Sequence, residues 1–172
     1  MNDLTLITGG VKSGKSSLGL KCLDELSQHP LLLATARRTD NEMSARIDRH
    51  IEDRPNHWQC IECPIDLPNA LIEYEQPLLV DCLGTWLTNV LVEQPDNLKH
   101  HTSDLIESLK QRTSATVLIS NESGLGVIGA DALTRQFVDE LGLLNQKIAK
   151  MSHHQAFCIS GQPLWLQGTA PF

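Results

Sequence analysis

The stretch Leu4-Thr5-Leu6-Ile7-Thr8-Gly9-Gly10-Val11-Lys12-Ser13-Gly14-Lys15-Ser16 decides how the chain is read. Leu4, Leu6 and Ile7 make a short, β-prone apolar run, the mark of a buried first strand. Gly9 to Ser16 then spells G-x-x-x-x-G-K-S, the pattern of a phosphate-binding P-loop. The chemistry requires these residue types. Gly9, Gly10 and Gly14 let backbone N–H groups approach phosphate oxygens that a Cβ would hold off, and Val11, Lys12 and Ser13 complete the loop. Lys15 sets an ammonium against the β- and γ-phosphates, and the Ser16 hydroxyl is the expected Mg²⁺ ligand. A helix opening at this point adds the positive end of its dipole to the same anion. A chance Gly-rich turn is the bland alternative, but it needs neither the strand before it nor the helix after it.

Composition sets the bounds. A chain of 172 residues and 19.1 kDa is expected to form one domain with a hydrophobic core of its own. A net charge of −7 and a pI near 5.4 argue against a general nucleic-acid binder, though not against a local basic patch. No apolar run approaches the ~20 residues that span a bilayer, and the first residues lack a signal-peptide pattern, so cytoplasm is the expected compartment. The five cysteines are scattered. Cys60-x-x-Cys63 has a metal-like or redox-like spacing, but no second pair accompanies it. Followed by Pro64, it reads as a buried or incidental pair in preference to a zinc or redox site.

Downstream the chain alternates strand and helix, which predicts an α/β fold: a mostly parallel central sheet with helices on both faces, a P-loop NTPase of RecA-like type. A first helix is expected over 15–28, with Leu18, Cys22, Leu23 and Leu26 as its apolar stripe. Residues 31–35 read as a strand whose C-terminal end lies beside the P-loop, where such sheets bind ligands. Arg37 and Arg38 follow, either as a solvated loop or as a basic pair meeting phosphate or base. Thr39 with Glu42 is a capping box that opens a helix over 39–50. On it Glu42, Arg46 and His50 share one face. By pattern alone, a lone histidine at a helix C-terminus serves the dipole more often than it catalyses.

Residues 58–62 read as a strand, 67–74 as a short helix, and 77–81 as a buried strand ending in Asp81. Behind a P-loop that is the Walker B position, where a carboxylate supports Mg²⁺ directly or through water. A helix over 83–91 carries Trp86, Leu87, Val90 and Leu91 into the core; the polar run 93–102, with Pro95, His100 and His101, reads as a solvated loop. After a helix over 104–112, the strand 116–120 runs into Asn121-Glu122-Ser123-Gly124-Leu125-Gly126 at the active edge. Glu122 is functional there if buried beside Mg²⁺ or nucleotide, and a simple loop acid if exposed. A long helix over 130–152 has Leu133, Phe137, Leu141, Leu144 and Ile148 on its core face. Gly142 inside it costs about 1 kcal/mol relative to Ala, which predicts a close packing contact. Residues 156–160 form a last central strand, and Leu164-Trp165-Leu166 an edge strand after the turn Gly161-Gln162-Pro163.

The ordered set of motifs resembles the bifunctional adenosylcobinamide kinase/adenosylcobinamide-phosphate guanylyltransferase family of cobalamin biosynthesis. The resemblance covers nearly the whole chain. It rests on residues 8–16, on Glu42-Met43, Arg46-Ile47 and His50, on Arg54-Pro55, Trp58, Glu62 and Pro64, and on Val80-Asp81-Cys82-Leu83 with Trp86 and Asn89. Ser120-Asn121-Glu122, Gly124-Leu125-Gly126, Arg135, Gly142, Asn145-Gln146 and Gly161-Gln162-Pro163-Leu164 complete it.

The resemblance implies a two-step enzyme. The aminopropanol hydroxyl of adenosylcobinamide takes the γ-phosphoryl group of ATP or GTP; the adenosylcobinamide phosphate is then joined to GMP from GTP. It implies His50 as the residue that carries GMP between the two, a role that suits a neutral imidazole attacking phosphorus. It also implies guanosine contacts at Ala34, Thr35, Ala36, Ile51, Glu52, Asp53, Arg54, Glu62 and Asp81, Mg²⁺ as cofactor, and a homotrimer. Two positions depart from the family: Arg49-His50 stands where some members have paired histidines, and Ile128-Gly129-Ala130 where Val-Pro-Glu is usual. An enzyme with one of the two activities, and a nucleotide-driven switch, are the alternatives. A switch has no use for a histidine that accepts GMP.

Overall fold

Strand β1, Leu4–Gly9, alternates its side chains between two cores, and the remaining elements are laid out around it. The computed structural model describes residues 3–37, 58–127 and 129–169. The helix expected over 39–50, with Glu42, Arg46 and His50, lies outside them, as do Ile51, Glu52, Asp53, Arg54 and Ile128. After β1 come α1 (Lys15–Leu26), β2 (Leu31–Ala34), β3 (Gln59–Glu62), α2 (Leu67–Glu73), β4 (Leu78–Asp81) and α3 (Leu83–Glu93). A short 3₁₀ turn, Pro95–Asn97, leads into α4 (Leu98–Gln111), β5 (Thr116–Asn121), α5 (Ala132–Ala149), β6 (His154–Ile159) and β7 (Gln162–Gln167).

The strands form one sheet in the order β3-β2-β4-β5-β1-β6-β7. Every pairing is parallel except that of β6 with β7. Leu31, Leu32 and Leu33 of β2 and Leu78, Leu79 and Val80 of β4 are all buried, because a parallel sheet covered on both faces has no polar side. Ile7, Leu32, Leu79, Val117 and Ile119 meet Cys22 and Leu23 of α1 on one face. Leu6, Leu33, Val80 and Leu118 meet α2 to α5 on the other, through Leu67, Trp86, Leu87, Leu105, Leu141 and Ile148. The predicted α/β class and RecA-like arrangement are therefore observed, with β5 standing between the P-loop strand β1 and the Asp81 strand β4.

Local departures have physical causes. The first helix stops at Leu26, not at residue 28: Ser27 turns extended while its N–H still reaches Leu23 O, and Pro30 follows three residues beyond Ser27. The expected loop over 93–102 is mostly helix. Leu98, Thr102, Leu105 and Leu109 form its buried stripe, and the polar residues that suggested a loop are its solvent face. His100 pairs with Asp104 at 3.2 Å and His101 meets Gln94 Oε1 at 2.6 Å, so both histidines belong to a helix surface.

Helix α5 starts later and ends earlier than expected, capped by Asp131, whose carboxylate accepts the Thr134 N–H at 2.8 Å. Leu133 in its first turn is half exposed and outside the core; Leu141, Leu144 and Ile148 are buried as expected. The expected close contact at Gly142 is absent: a Cβ there would meet nothing within 4 Å. The β6–β7 hairpin turns on Ser160 and Gly161, both at positive φ, so Gln162 and Pro163 lie in the edge strand and not in the turn.

Arg112 was not expected to matter. It is 5 % exposed and donates to Thr116 Oγ1 at 2.7 Å and Leu71 O at 2.8 Å, and to the carbonyls of Tyr74 and Gln76. Burial lowers its pKa to about 10, still far above neutrality. It thereby joins the end of α4 to the chain entering β4.

Candidate active site

The P-loop leaves β1 at Gly9, whose φ of +153° and surroundings both demand glycine. A Cβ would sit 2.6 Å from Cys158 O and 2.7 Å from Ser13 Oγ. The loop closes through Ser13 N–H to Gly10 O at 3.3 Å, and Gly161 N–H holds it from the β6–β7 turn through Ser13 O at 2.9 Å. Gly14, at φ +96°, opens α1 with no side-chain cap. The first intrahelical bond runs from Leu18 N–H to Gly14 O, which leaves the N–H groups of Lys15, Ser16 and Ser17 directed ahead of the helix. That is an anion site made of backbone. Val11 and Lys12 are exposed on the loop's outer rim, whereas Ser13 is buried and its hydroxyl has no partner among the described residues.

Lys15 is 7 % exposed, with Nζ donating to Gly10 O at 2.6 Å. Desolvation pulls its pKa below the ordinary lysine value, while the neighbouring Cys82, Asp81 and Cys158 act in the opposite direction. The structure thus brings together Lys15 and Asp81, two strands apart in the sheet. Ser16, half-buried in the first turn of α1, is the hydroxyl beside Lys15. Both expected metal residues are hard oxygen donors. Among the described residues no three His, Cys, Asp or Glu side chains converge on a metal position. Such a donor set suits Mg²⁺, which takes one or two protein oxygens and otherwise keeps phosphates and water.

Ala34, Thr35, Glu62 and Asp81 end adjacent strands β2, β3 and β4, and Ala36 follows directly. Thr35 is fully buried and knots this edge together. Its N–H donates to Asp81 O at 3.1 Å, and its hydroxyl accepts the Cys82 N–H at 2.8 Å and faces the carbonyls of Asp81 and Cys82. Asn89 of α3 ties Thr35 O at 2.8 Å to Pro64 O at 3.0 Å. Glu62 is exposed. Three strand spacings, about 14 Å, separate β2 from the P-loop strand β1. The P-loop residues and the Ala34–Glu62 edge are therefore two groups at one end of the sheet. Arg37 is taken up by Glu93 at 3.0 Å on the surface, which favours the solvated reading of that arginine.

Of the cysteine pair only Cys63 is buried, its thiol pushed up to about 11, chiefly by desolvation; Cys60 is exposed, so the buried reading holds for one of the two. The P-loop's dependence on the β6–β7 turn was not legible in the sequence. Cys158 and Gly161 carry no phosphate-binding signal, and only the Gly161-Gln162-Pro163 stretch marked the turn.

Fold and loop together define a P-loop nucleotide-binding protein of the α/β class. Among the described residues no helix is long and apolar enough to cross a membrane. The family model "Cobinamide kinase / cobinamide phosphate guanyltransferase" matches residues 5–166. The chain is 40% identical to the bifunctional adenosylcobalamin biosynthesis protein CobP of Pseudomonas aeruginosa, over 95% of this chain and 96% of that one. It is 31% identical to the protein CobU of Escherichia coli, over 92% and 96%. Among solved structures, a KaiC-like protein from Pyrococcus horikoshii superposes with a TM-score of 0.48 at 12% identity, covering 90% of this chain and 70% of that one. The chain belongs to the cobinamide kinase/cobinamide phosphate guanyltransferase family, a family of enzymes.

Proposed function

We propose that this chain carries out both reactions of its family on an adenosylated corrinoid. In the first, the aminopropanol hydroxyl of adenosylcobinamide attacks the γ-phosphorus of ATP or GTP, and the bond to the bridging oxygen breaks. In the second, the imidazole of His50 attacks the α-phosphorus of GTP and releases pyrophosphate. The phosphate oxygen of adenosylcobinamide phosphate then displaces the imidazole, giving adenosylcobinamide-GDP. The observation that carries this reading is the buried Lys15 ammonium at the uncapped start of α1, close to Asp81, in a member of this family.

Lys15 offsets charge as it builds on the transferred phosphoryl group. The N–H groups of Gly10 to Ser16 orient the phosphates, fixing the line of attack. Ser16 and Asp81 would hold Mg²⁺, which supplies neutralising charge when bound with the nucleotide. Ala34, Thr35, Ala36, Ile51, Glu52, Asp53, Arg54 and Glu62 form the proposed guanosine contacts. A single domain in the cytoplasm, assembled as a homotrimer, belongs to the same reading; light scattering on the purified protein tests the assembly.

The deciding experiment incubates wild type and His50→Ala with Mg²⁺ and GTP radiolabelled at the α-phosphate, then denatures both. Acid-labile, base-stable label on wild type alone is the expected result, since a phosphoramidate has that stability pattern. Equal label on both proteins would place the nucleophile elsewhere. No label on either, in folded protein, would leave a kinase or a nucleotide switch.

A further inference from the structure

Between α5 and the strands β1, β6 and β7, on the face away from α1, runs a groove of about 300 Å³. It holds the space of about ten water molecules, enough for one side arm of a corrinoid and far too little for the macrocycle. Its upper end borders the P-loop. Thr8, the residue before Gly9, lines it, and so does Glu122, whose N–H donates to Gly9 O at 3.0 Å. The other polar walls are the neutral side chains of Asn145, Gln146 and Gln155, so Glu122 is the one ionisable group among the lining residues.

Two features of this groove serve no purpose within the fold. The Asn145 amide donates to Asn121 O at 3.2 Å, but its Oδ1 is buried with no partner among the described residues. A buried acceptor left unpaired is costly, and a ligand N–H would satisfy it. Gly142 weakens α5 as a helix, yet a Cβ there would meet nothing within 4 Å, so close packing at that atom does not require glycine. It keeps the groove open. Glu122 is held by one oxygen only: Oε1 accepts the Gly124 N–H at 2.8 Å, and Oε2 makes no hydrogen bond among the described residues.

We infer that this groove receives the amide-linked aminopropanol arm of the acceptor, and that Glu122 takes the proton of its hydroxyl. This rests on the function proposed above. The arm is neutral, with an amide to pair with Asn145 and a secondary alcohol at its end. As the alcohol oxygen forms its bond to the γ-phosphorus, the electron pair of the breaking bond leaves on the β-phosphate oxygen. The hydroxyl proton passes to Glu122 Oε2. Lining by amides, not by cations, selects the uncharged arm over free phosphates.

The test uses steady-state phosphorylation of cobinamide by Mg²⁺-ATP, with α-labelled GTP run on the same preparations. Gly142→Phe is expected to raise the acceptor KM at least tenfold, with the ATP KM changed less than twofold and no fall in the unfolding midpoint. Glu122→Gln is expected to lower kcat by about 100-fold or more, with both KM values little changed and partial recovery in Glu122→Asp. An unchanged acceptor KM in Gly142→Phe overturns the groove, and a kcat within threefold in Glu122→Gln overturns the proton acceptor. Wild type that neither phosphorylates cobinamide nor takes label overturns the underlying function instead. Active wild type beside wild-type-like variants sinks this inference alone.

Discussion

Lys15 carries a cost that only its function explains. Burial disfavours its charged form, so in the folded chain it yields its proton at lower pH than the ordinary 10.5. The unfolded chain therefore binds more protons over the interval up to 10.5, and this group's contribution to stability rises with pH across that interval. Lys15→Met removes the buried charge while keeping most of the apolar stem. We expect its thermal midpoint without nucleotide to equal or exceed that of wild type, and its alkaline rise in stability to flatten. Phosphoryl transfer should fall by about 100-fold, as when one donor is removed from a developing oxyanion. A midpoint well below wild type would show that the ammonium holds the fold as well as the phosphate.

At the scale of elements, α1 lies unusually close to the sheet. A Cβ on Gly19 would stand 2.8 Å from Leu79 Cδ1 and 3.0 Å from Ile119 Cδ1, so the helix seats the P-loop by pressing its backbone onto β4 and β5. Gly19→Val should destabilise by about 2 kcal/mol through overpacking, measured by urea unfolding, despite the better helix propensity of valine over glycine. A change under 0.5 kcal/mol would mean that Leu79 and Ile119 yield freely. Gly19 and Gly142 show what sequence reading can and cannot supply here. Both are glycines inside helices, and propensity treats them alike. One faces the sheet and the other faces a groove, a difference created by the packing of distant strands. The first turns of helix α4 were missed for a related reason, although its second half was expected. Its polar face and Pro95 looked like loop chemistry, but Pro95 stands in the preceding 3₁₀ turn, and burial of Leu98, Leu105 and Leu109 organises the rest.

For the molecule as a whole, the anion site is built from parts that ligand binding should lock together: the P-loop, α1, the β6–β7 turn and the Asp81 edge. A nucleotide bound only to the folded chain stabilises it by about 2.7 kcal/mol at a hundred times its Kd. For a chain of this size that corresponds to about 5–10 °C in the unfolding midpoint. Mg²⁺-GTP should give that shift to wild type in differential scanning calorimetry and little to Lys15→Met. Equal shifts in both would place the nucleotide away from the P-loop.

The local pattern of the chain determined the P-loop, the alternation of strand and helix, the apolar strands of a buried parallel sheet, and the acid at the end of β4. These follow from glycine positions, hydrophobic period and short-range spacing, which act along a few neighbouring residues. Tertiary structure alone decided that Thr35 knots β2 to β4, that Cys158 and Gly161 brace a loop some 145 residues earlier, roughly the span from Ser13 to Cys158. It also decided that Asn145, Gln155 and Glu122 line one groove. Those contacts join residues far apart in sequence, and strand order, which no local spacing encodes, brings them together.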